Sequence, residues 1–217
     1  MSGFAAEPLG EDALLLRFGD SIDAAVNARV HAAFARLRAA NLSGVQDIAP
    51  AYASLLLRFD PLAWGAQDGE SPHAHLRSAI DSILHDGAPP ASEMGSRAVD
   101  IPVCYGGDFG PDLGGVASHS GLDAREVIAR HTAAEYIVAM LGFAPGFPYL
   151  LGLDPALQIP RRATPRTRVP AGSVAIGGAQ TGIYPRELPG GWQIISRTPA
   201  VLFDPQRDPP ALLAPGD

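Results

Sequence analysis

The stretch from Gly142 to Thr198 constrains this chain most, because glycine and proline interrupt it so often that short strands joined by turns are the only regular structure it allows. Its apolar runs are brief: Val174 to Ile176, Gly182 to Tyr184, Trp192 to Ile195 and Val201 to Phe203. Regularly spaced short strands of this kind predict a small β-barrel. Immediately before it the texture is helical. Pro111 to Ser118 and Asp123 to Leu141 place Leu113, Val116, Val127, Ile128, Ile137 and Met140 at helical spacing, which predicts a helical hairpin.

The first half reads differently. Ala13 to Phe18 is strand-like, and Ile22 to Ala40 then carries Val26, Val30, Phe34 and Leu37 on one helical face. Val45 to Ile48 and Leu55 to Phe59 are two short strands around Pro50. Ser71 as N-cap and Pro72 as first helical residue open a second helix with Leu76, Ile80, Ile83 and Leu84 inside, and Gly87 ends it. Pro89 to Gly95 reads as a linker and Ala98 to Cys104 as a further strand. If Ala98 to Val103 closes the first sheet, the order is that of a ferredoxin-like sandwich. The expected class is therefore α+β: a ferredoxin-like α/β sandwich over 1–95, then a barrel domain over 96–217.

Charge and composition exclude several functions. All 16 basic residues are arginine, so a Walker A lysine, a Schiff-base lysine and a biotin-carrying lysine are absent. A formal charge of −7 argues against nucleic-acid binding. The Ala117, Gly121 and Val127 spacing resembles a helix-turn-helix. Its second helix sets Asp123 and Glu126 against Arg125 and Arg130, however, so a plain hairpin is expected. No apolar run reaches the roughly 18 residues of a membrane span, and Met1 to Gly10 lacks a signal pattern, so a cytoplasmic location is expected. The single cysteine, Cys104, rules out an internal disulfide; as a free thiol at a strand end it is expected to be buried. A nucleophilic role with His119 or His131 is the alternative. His73, His75 and His85 lack the spacing for a metal site, and none is expected.

Three constellations could carry chemistry. Gly142-Phe-Ala-Pro-Gly-Phe-Pro-Tyr-Leu150 is a loop with few backbone states to lose, able to present Phe143, Pro145, Gly146, Phe147 and Tyr149 rigidly to a substrate or partner; otherwise it is a packed turn. Between Ala156 and Phe203 the chain holds Arg161, Arg162, Arg166, Arg168, Arg186 and Arg197 against one acid, Glu187. Arg166 and Arg168 alternate with Thr167 and so share one side of an extended segment, which makes them the expected anion clamp. Finally, Pro170 to Pro185 sets Ser173, Gln180, Thr181 and Tyr184 among glycines that allow close backbone approach to a ligand. Ser173 has no nucleophile-elbow setting and no histidine follows His131, which argues against a serine hydrolase.

Taken together, Leu9-Gly-Glu-Asp-Ala-Leu-Leu15, Pro50-Ala-Tyr52, Ile101-Pro-Val-Cys-Tyr-Gly-Gly107, Gly142 to Leu150, Val169-Pro-Ala-Gly-Ser-Val174, Gln180-Thr-Gly-Ile-Tyr-Pro185, Pro189-Gly-Gly-Trp192 and Arg197-Thr198 resemble one family. It includes the B-type subunit of ATP-dependent 5-oxoprolinase, subunit 1 of allophanate hydrolase and the KipI-type inhibitor of a sensor histidine kinase. Inhibition of a sensor kinase, or a place in an allophanate hydrolase or urea carboxylase-type system, are therefore the alternatives to the 5-oxoprolinase reading that follows. The same domains form part of urea carboxylase. The resemblance implies a C-terminal cyclophilin-like barrel and a lactam-opening hydrolase that converts 5-oxoproline to glutamate with ATP, the ATP held by the complex rather than necessarily by this chain. It also implies a paralogous C-type subunit, similar to KipA, sharing one composite site, and a third catalytic subunit of A type. On that reading Arg166, Arg168, Gln180, Thr181 and Tyr184 are catalytic. Phe143, Pro145, Gly146, Phe147, Tyr149, Ser173, Trp192 and Arg197 meet substrate or partner. Family members usually run past the turn at Pro215-Gly-Asp217 into a closing strand, so either the sequence is trimmed there or that barrel edge is left open.

Overall fold

The structure, a computed structural model, describes residues 3–65, 69–85 and 97–217, which fall in two compact units, 1–96 and 97–217. In the first unit, strands β1 (Ala5–Pro8), β2 (Ala13–Arg17), β3 (Val45–Pro50) and β4 (Ser54–Phe59) form an antiparallel sheet in the order β1-β2-β4-β3. Two-residue alternation sends Leu14 and Leu16 of β2, and Leu55, Leu57 and Phe59 of β4, to one side. There they meet Val30, Ala33 and Leu37 of α1 (Ala24–Ala40) and Leu76 and Ile80 of α2 (Pro72–His85). Asp23 caps α1 by accepting the Val26 amide at 2.9 Å. Ser71 does the same for α2 through the Ala74 amide. The buried Asn27 donates to the Ala51 and Tyr52 carbonyls and so ties α1 to the β3–β4 turn. Gly87 and the stretch 89–95 lie outside the described residues.

One expectation fails here. Residues 98–103 do not close this sheet; β1, from the N-terminal side, takes the edge beside β2. A strand joined to β2 by a four-residue turn reaches that edge at little loop-closure cost. Val99, Ile101 and Val103, whose alternation reads as a strand, instead pack without a ladder against a cluster of Val138, Leu150, Val174 and Ile183 in the second unit.

The second unit holds a six-stranded antiparallel sheet. Its strands are β5 (Cys104–Tyr105), β6 (Ile137–Leu141), β7 (Pro148–Leu151), β9 (Ser173–Gly177), β10 (Gln180–Ile183) and β12 (Gln193–Arg197), in the order β5-β12-β9-β10-β7-β6. Strands β8 (Arg166–Val169) and β11 (Leu188–Gly190) form a separate pair. Among the described residues no pairing joins β5 to β6, so the expected barrel is not closed. Residues 201–203 contribute only a Phe203–Ala211 bridge.

The expected hairpin is present as α3 (Leu113–Ser120) and α4 (Ala124–Ala133), with Gly121 between them and Asp123 capping α4. Helix α4 is shorter than the sequence pattern suggests. Ile137 to Leu141 is strand β6, because its β-branched start pairs with β7 and buries Val138 and Ala139 there. Periodicity alone does not separate a short apolar strand from the end of a helix.

Sheet alternation then sorts the functional stretch into two faces. Register puts Ser173, Ala175, Gly177, Gln180, Gly182 and Tyr184 on one face; Val174, Ile176, Thr181 and Ile183 lie on the other. Leu113, Val116 and Val127 of the hairpin cover the second face around Ile176 and Ile195. Phe147, Val169, Tyr184 and Trp192 fill the first. No helix among the described residues is long and apolar enough to cross a membrane.

Leu57 is fully buried at the centre of the first sheet. Leu57→Ala is expected to cost about 2–5 kcal/mol, read as a lower urea midpoint with an unchanged slope.

Candidate functional site

The arginine segment is organised by an acid that lies far away in sequence. Asp112, 9% exposed at the start of α3, accepts Arg166 Nη1 at Oδ2 and Arg166 Nη2 at Oδ1, both at 2.8 Å; Arg162 Nη1 reaches Oδ1 at 3.1 Å. The Ile194 amide also donates to Oδ2, at 2.7 Å, and the Asp112 amide bonds the Ile194 carbonyl. Two guanidiniums, one of them bidentate, thus share one carboxylate and fasten the loop before β8 to α3 and β12.

This arrangement corrects the expected clamp. Arg166 turns inward to Asp112, whereas the Arg168 side chain, 80% exposed, pairs with Glu187 at 2.9 Å. The two do not converge on one anion, since each already has a carboxylate. Among the described residues Arg161 and Arg197 have no carboxylate partner, and each lies on an aromatic ring: Arg161 over Trp192 at 5.7 Å, Arg197 over Phe109 at 5.2 Å.

Rings fill the face between them. Phe147, almost fully buried, is the hub, with centroids of Tyr149, Tyr184, Phe143 and Trp192 at 4.9, 5.1, 5.6 and 5.9 Å. The glycines here make room for the rings. A Cβ on Gly177 would sit 2.6 Å from the Trp192 ring, and one on Gly190 would sit 2.1 Å from the Tyr184 hydroxyl. Burial raises the Tyr149 and Tyr184 pKa values, and Arg161 partly offsets the rise in both, so both hydroxyls are protonated donors at neutral pH. Phe143 departs from this pattern: it is 61% exposed with φ at +65°. An L-residue held there carries strain of about 1–3 kcal/mol. Pro145 beside it is also exposed, and Gly146 is buried.

The remaining expected residues divide between the faces. Gln180 lies with Tyr184, buried, and its amide has no hydrogen-bond partner among the described residues. Ser173 and Arg197 oppose each other across β9 and β12 on that same face. Thr181 does not join them. On the helix side its hydroxyl donates to the Ala175 carbonyl at 3.1 Å and meets His131 Nε2 at 3.2 Å, while His131 Nδ1 lies 2.6 Å from the Tyr105 hydroxyl. Because the Thr181 proton is committed, Nε2 carries the ring hydrogen and Nδ1 accepts from Tyr105. Burial lowers the His131 pKa to about 4 and pushes that of Tyr105 up to about 12. Cys104, expected to be buried, is exposed, and its neighbour Tyr105 is the residue that reaches His131.

Sequence reasoning missed Asp112 and the Tyr105–His131–Thr181 line, because neither has a local motif. No group of three metal-ligating side chains occurs among the described residues.

Residues 4–213 match the family described as carboxyltransferase domain, subdomain C and D. The chain is 45% identical over 217 residues to the B-type subunit of 5-oxoprolinase from Bacillus subtilis strain 168, covering 99% of this chain and 90% of that protein. It is 58% identical over 127 residues to the subunit of the same name in Escherichia coli O157:H7, covering 58% of each. Among solved structures, that of TTHA0988 superposes with a TM-score of 0.81 at 40% identity, over 94% of this chain and 38% of the longer one. The Kluyveromyces lactis urea carboxylase shares the fold, with a TM-score of 0.69 at 20% identity over 99% of this chain and 21% of that one.

Two outcomes follow from the buried groups. Asp112→Asn leaves two partly solvated guanidiniums without their counter-charge and is expected to cost about 1–3 kcal/mol in denaturant unfolding. His131 has a folded pKa of about 4, below its unfolded value of 6.5. The unfolded state therefore binds more protons between those values, so stability is full above pH 6.5 and is lost as pH falls toward 4, by up to about 3 kcal/mol. In His131→Gln that slope should flatten across the same window in unfolding measured as a function of pH.

Proposed function

The chain belongs to the carboxyltransferase-domain family, subdomains C and D, and from that premise we propose that it is the B-type subunit of an ATP-dependent 5-oxoprolinase, a hydrolase that opens 5-oxoproline to glutamate. The observation that carries this reading is the 45% identity extending over nearly the whole of both chains. We read the second unit as a cyclophilin-like barrel left open, and its aromatic face as half of a composite site. The other half belongs to a paralogous subunit of C type, and ATP is handled with a third subunit of A type.

In this reading the ATP γ-phosphoryl group passes to the lactam oxygen with release of ADP, activating the ring carbon. Water adds there, the C–N bond breaks with the nitrogen leaving as the free amine, and a second water releases phosphate from the resulting acyl phosphate to give glutamate. This chain binds and orients the substrate. Arg161, held over Trp192 without a carboxylate of its own, is free to neutralise charge developing on that oxygen. The protonated Tyr149 and Tyr184 hydroxyls and the Gln180 amide line the same face. Arg166 acts indirectly, by fixing the loop that carries Arg161 through its bond to Asp112. Phe143, strained and exposed, is the anchor toward the neighbouring subunit.

Co-purified subunits supplied with 5-oxoproline and ATP are expected to release glutamate, and Arg161→Ala to slow that release about 100-fold, roughly tenfold more than Arg168→Ala. Equal losses in the two variants would remove the role from Arg161. Phe143→Asn suits the left-handed backbone, so it should keep the melting temperature of the isolated chain yet reduce recovery of the C-type subunit in co-purification by about tenfold.

A further inference from the structure

Arg197 lies at the β5 end of the same face, and nothing in the fold uses its charge. Its guanidinium rests on Phe109, and no carboxylate pairs with it among the described residues, although the whole chain holds 23 acids against 16 arginines. Register aligns Cys104, Arg197 and Ser173 in one row across β5, β12 and β9, so their side chains stand side by side on one face. Within that row two polar atoms are buried and unpartnered, Arg197 Nε and Ser173 Oγ. Ser173 is fully buried. Such orphaned groups are few in native proteins and tend to mark places where another group belongs.

We propose that Arg197, stacked on Phe109 and paired across the strands with Ser173, is the subsite for the substrate carboxylate. The planar guanidinium offers a fork of donors that a carboxylate meets with two parallel hydrogen bonds, and the ring beneath holds that fork in one plane. The same fork also meets two oxygens of a phosphate, so inorganic phosphate is the competitor the test must exclude. This assignment rests on the 5-oxoprolinase reading, in which the substrate is a small lactam bearing one carboxylate. It divides the labour of the face: Arg197 holds the end of the substrate that does not react, and Arg161 meets the end that does.

Cys104 is the chain's single cysteine, exposed and directly beside Arg197 in the row, so it reports on occupancy without any need for turnover. The full chain, alone and co-purified with its partner subunits, is treated with the uncharged reagent N-ethylmaleimide, and labelling of the Cys104 peptide is followed by mass spectrometry. With 5-oxoproline at twice its dissociation constant, labelling should slow about threefold. The lactam without the carboxylate, 2-pyrrolidinone, should give no protection. Arg197→Gln should abolish protection, Ser173→Ala should weaken it, and Arg197→Lys, which keeps the charge but not the fork, should restore it only in part. Unchanged labelling with 5-oxoproline, equal protection by 2-pyrrolidinone, or protection by inorganic phosphate where 5-oxoproline gives none would each overturn the assignment. Its failure is separable from failure of the parent reading. Protection without glutamate release from the complex leaves the subsite standing and removes the reaction. Glutamate release with no protection does the reverse.

Discussion

One buried carboxylate sets the geometry of the second unit. Asp112 has a choice typical of an acidic residue at the start of a helix: cap the helix, or turn away. It turns away, and its two oxygens collect three guanidinium contacts and the Ile194 amide. The loop from Pro160 to Thr167 is rich in proline and positive charge and has little apolar surface of its own to bury. Backbone and amide hydrogen bonds to Gly191 and Gln193 bring it toward β12, and the acid adds the ionic contacts that fix its arginines there. With it, the segment carrying Arg161 is pinned beside the Trp192 ring. A buried ion cluster is a poor source of net stability, because desolvation cancels most of the attraction, but it specifies which of many loop conformations is occupied.

The second constraint is space. The aromatic face is built by removing side chains: Gly177 and Gly190 open gaps that Trp192 and Tyr184 occupy, so the rings interlock with the sheet itself. Glycine therefore supplies room here more than flexibility, and the rings are immobile because the backbone comes so close to them. That immobility lets Arg161 stay in place by stacking on Trp192 instead of by a salt bridge, and Arg197 is likewise stacked, on Phe109. A guanidinium held by a ring keeps its donors available, whereas one held by a carboxylate has spent them.

What could be read from the sequence followed the range of the interactions involved. Strand β2, helices α1 and α2, the α3–α4 hairpin and the short strands β9, β10 and β12 declare themselves within a few residues, through alternation, caps and turns. The edge strand β1 does not, since Ala5 to Pro8 has no apolar pattern and is a strand only because β2 has an open side. Helix-like spacing across Ile137 to Leu141 gave way to the pairing that β7 offers. At the site, residue types were legible and their commitments were not. The row from Arg161 to Arg168 shows four available cations in sequence, and only the fold reveals that Asp112, which no local motif connects to them, has already engaged two. Thr181 illustrates the same limit, since its neighbours in sequence suggest a substrate contact while its hydroxyl faces the helices.

That last residue shows how little separates the two sides of β10. Gln180 and Thr181 are adjacent, yet one belongs to the aromatic face and the other to a line of hydrogen bonds ending at Tyr105. The strand is a partition one peptide thick, and its meaning depends wholly on register. A slip of one residue against β9 would carry the Gln180 amide into the helical layer and the Thr181 hydroxyl onto the rings, exchanging the contents of two compartments without altering the composition of either strand. The His131 bond to Thr181 therefore acts as an index pin: it names, from the far side of the sheet, which residue of β10 faces the rings.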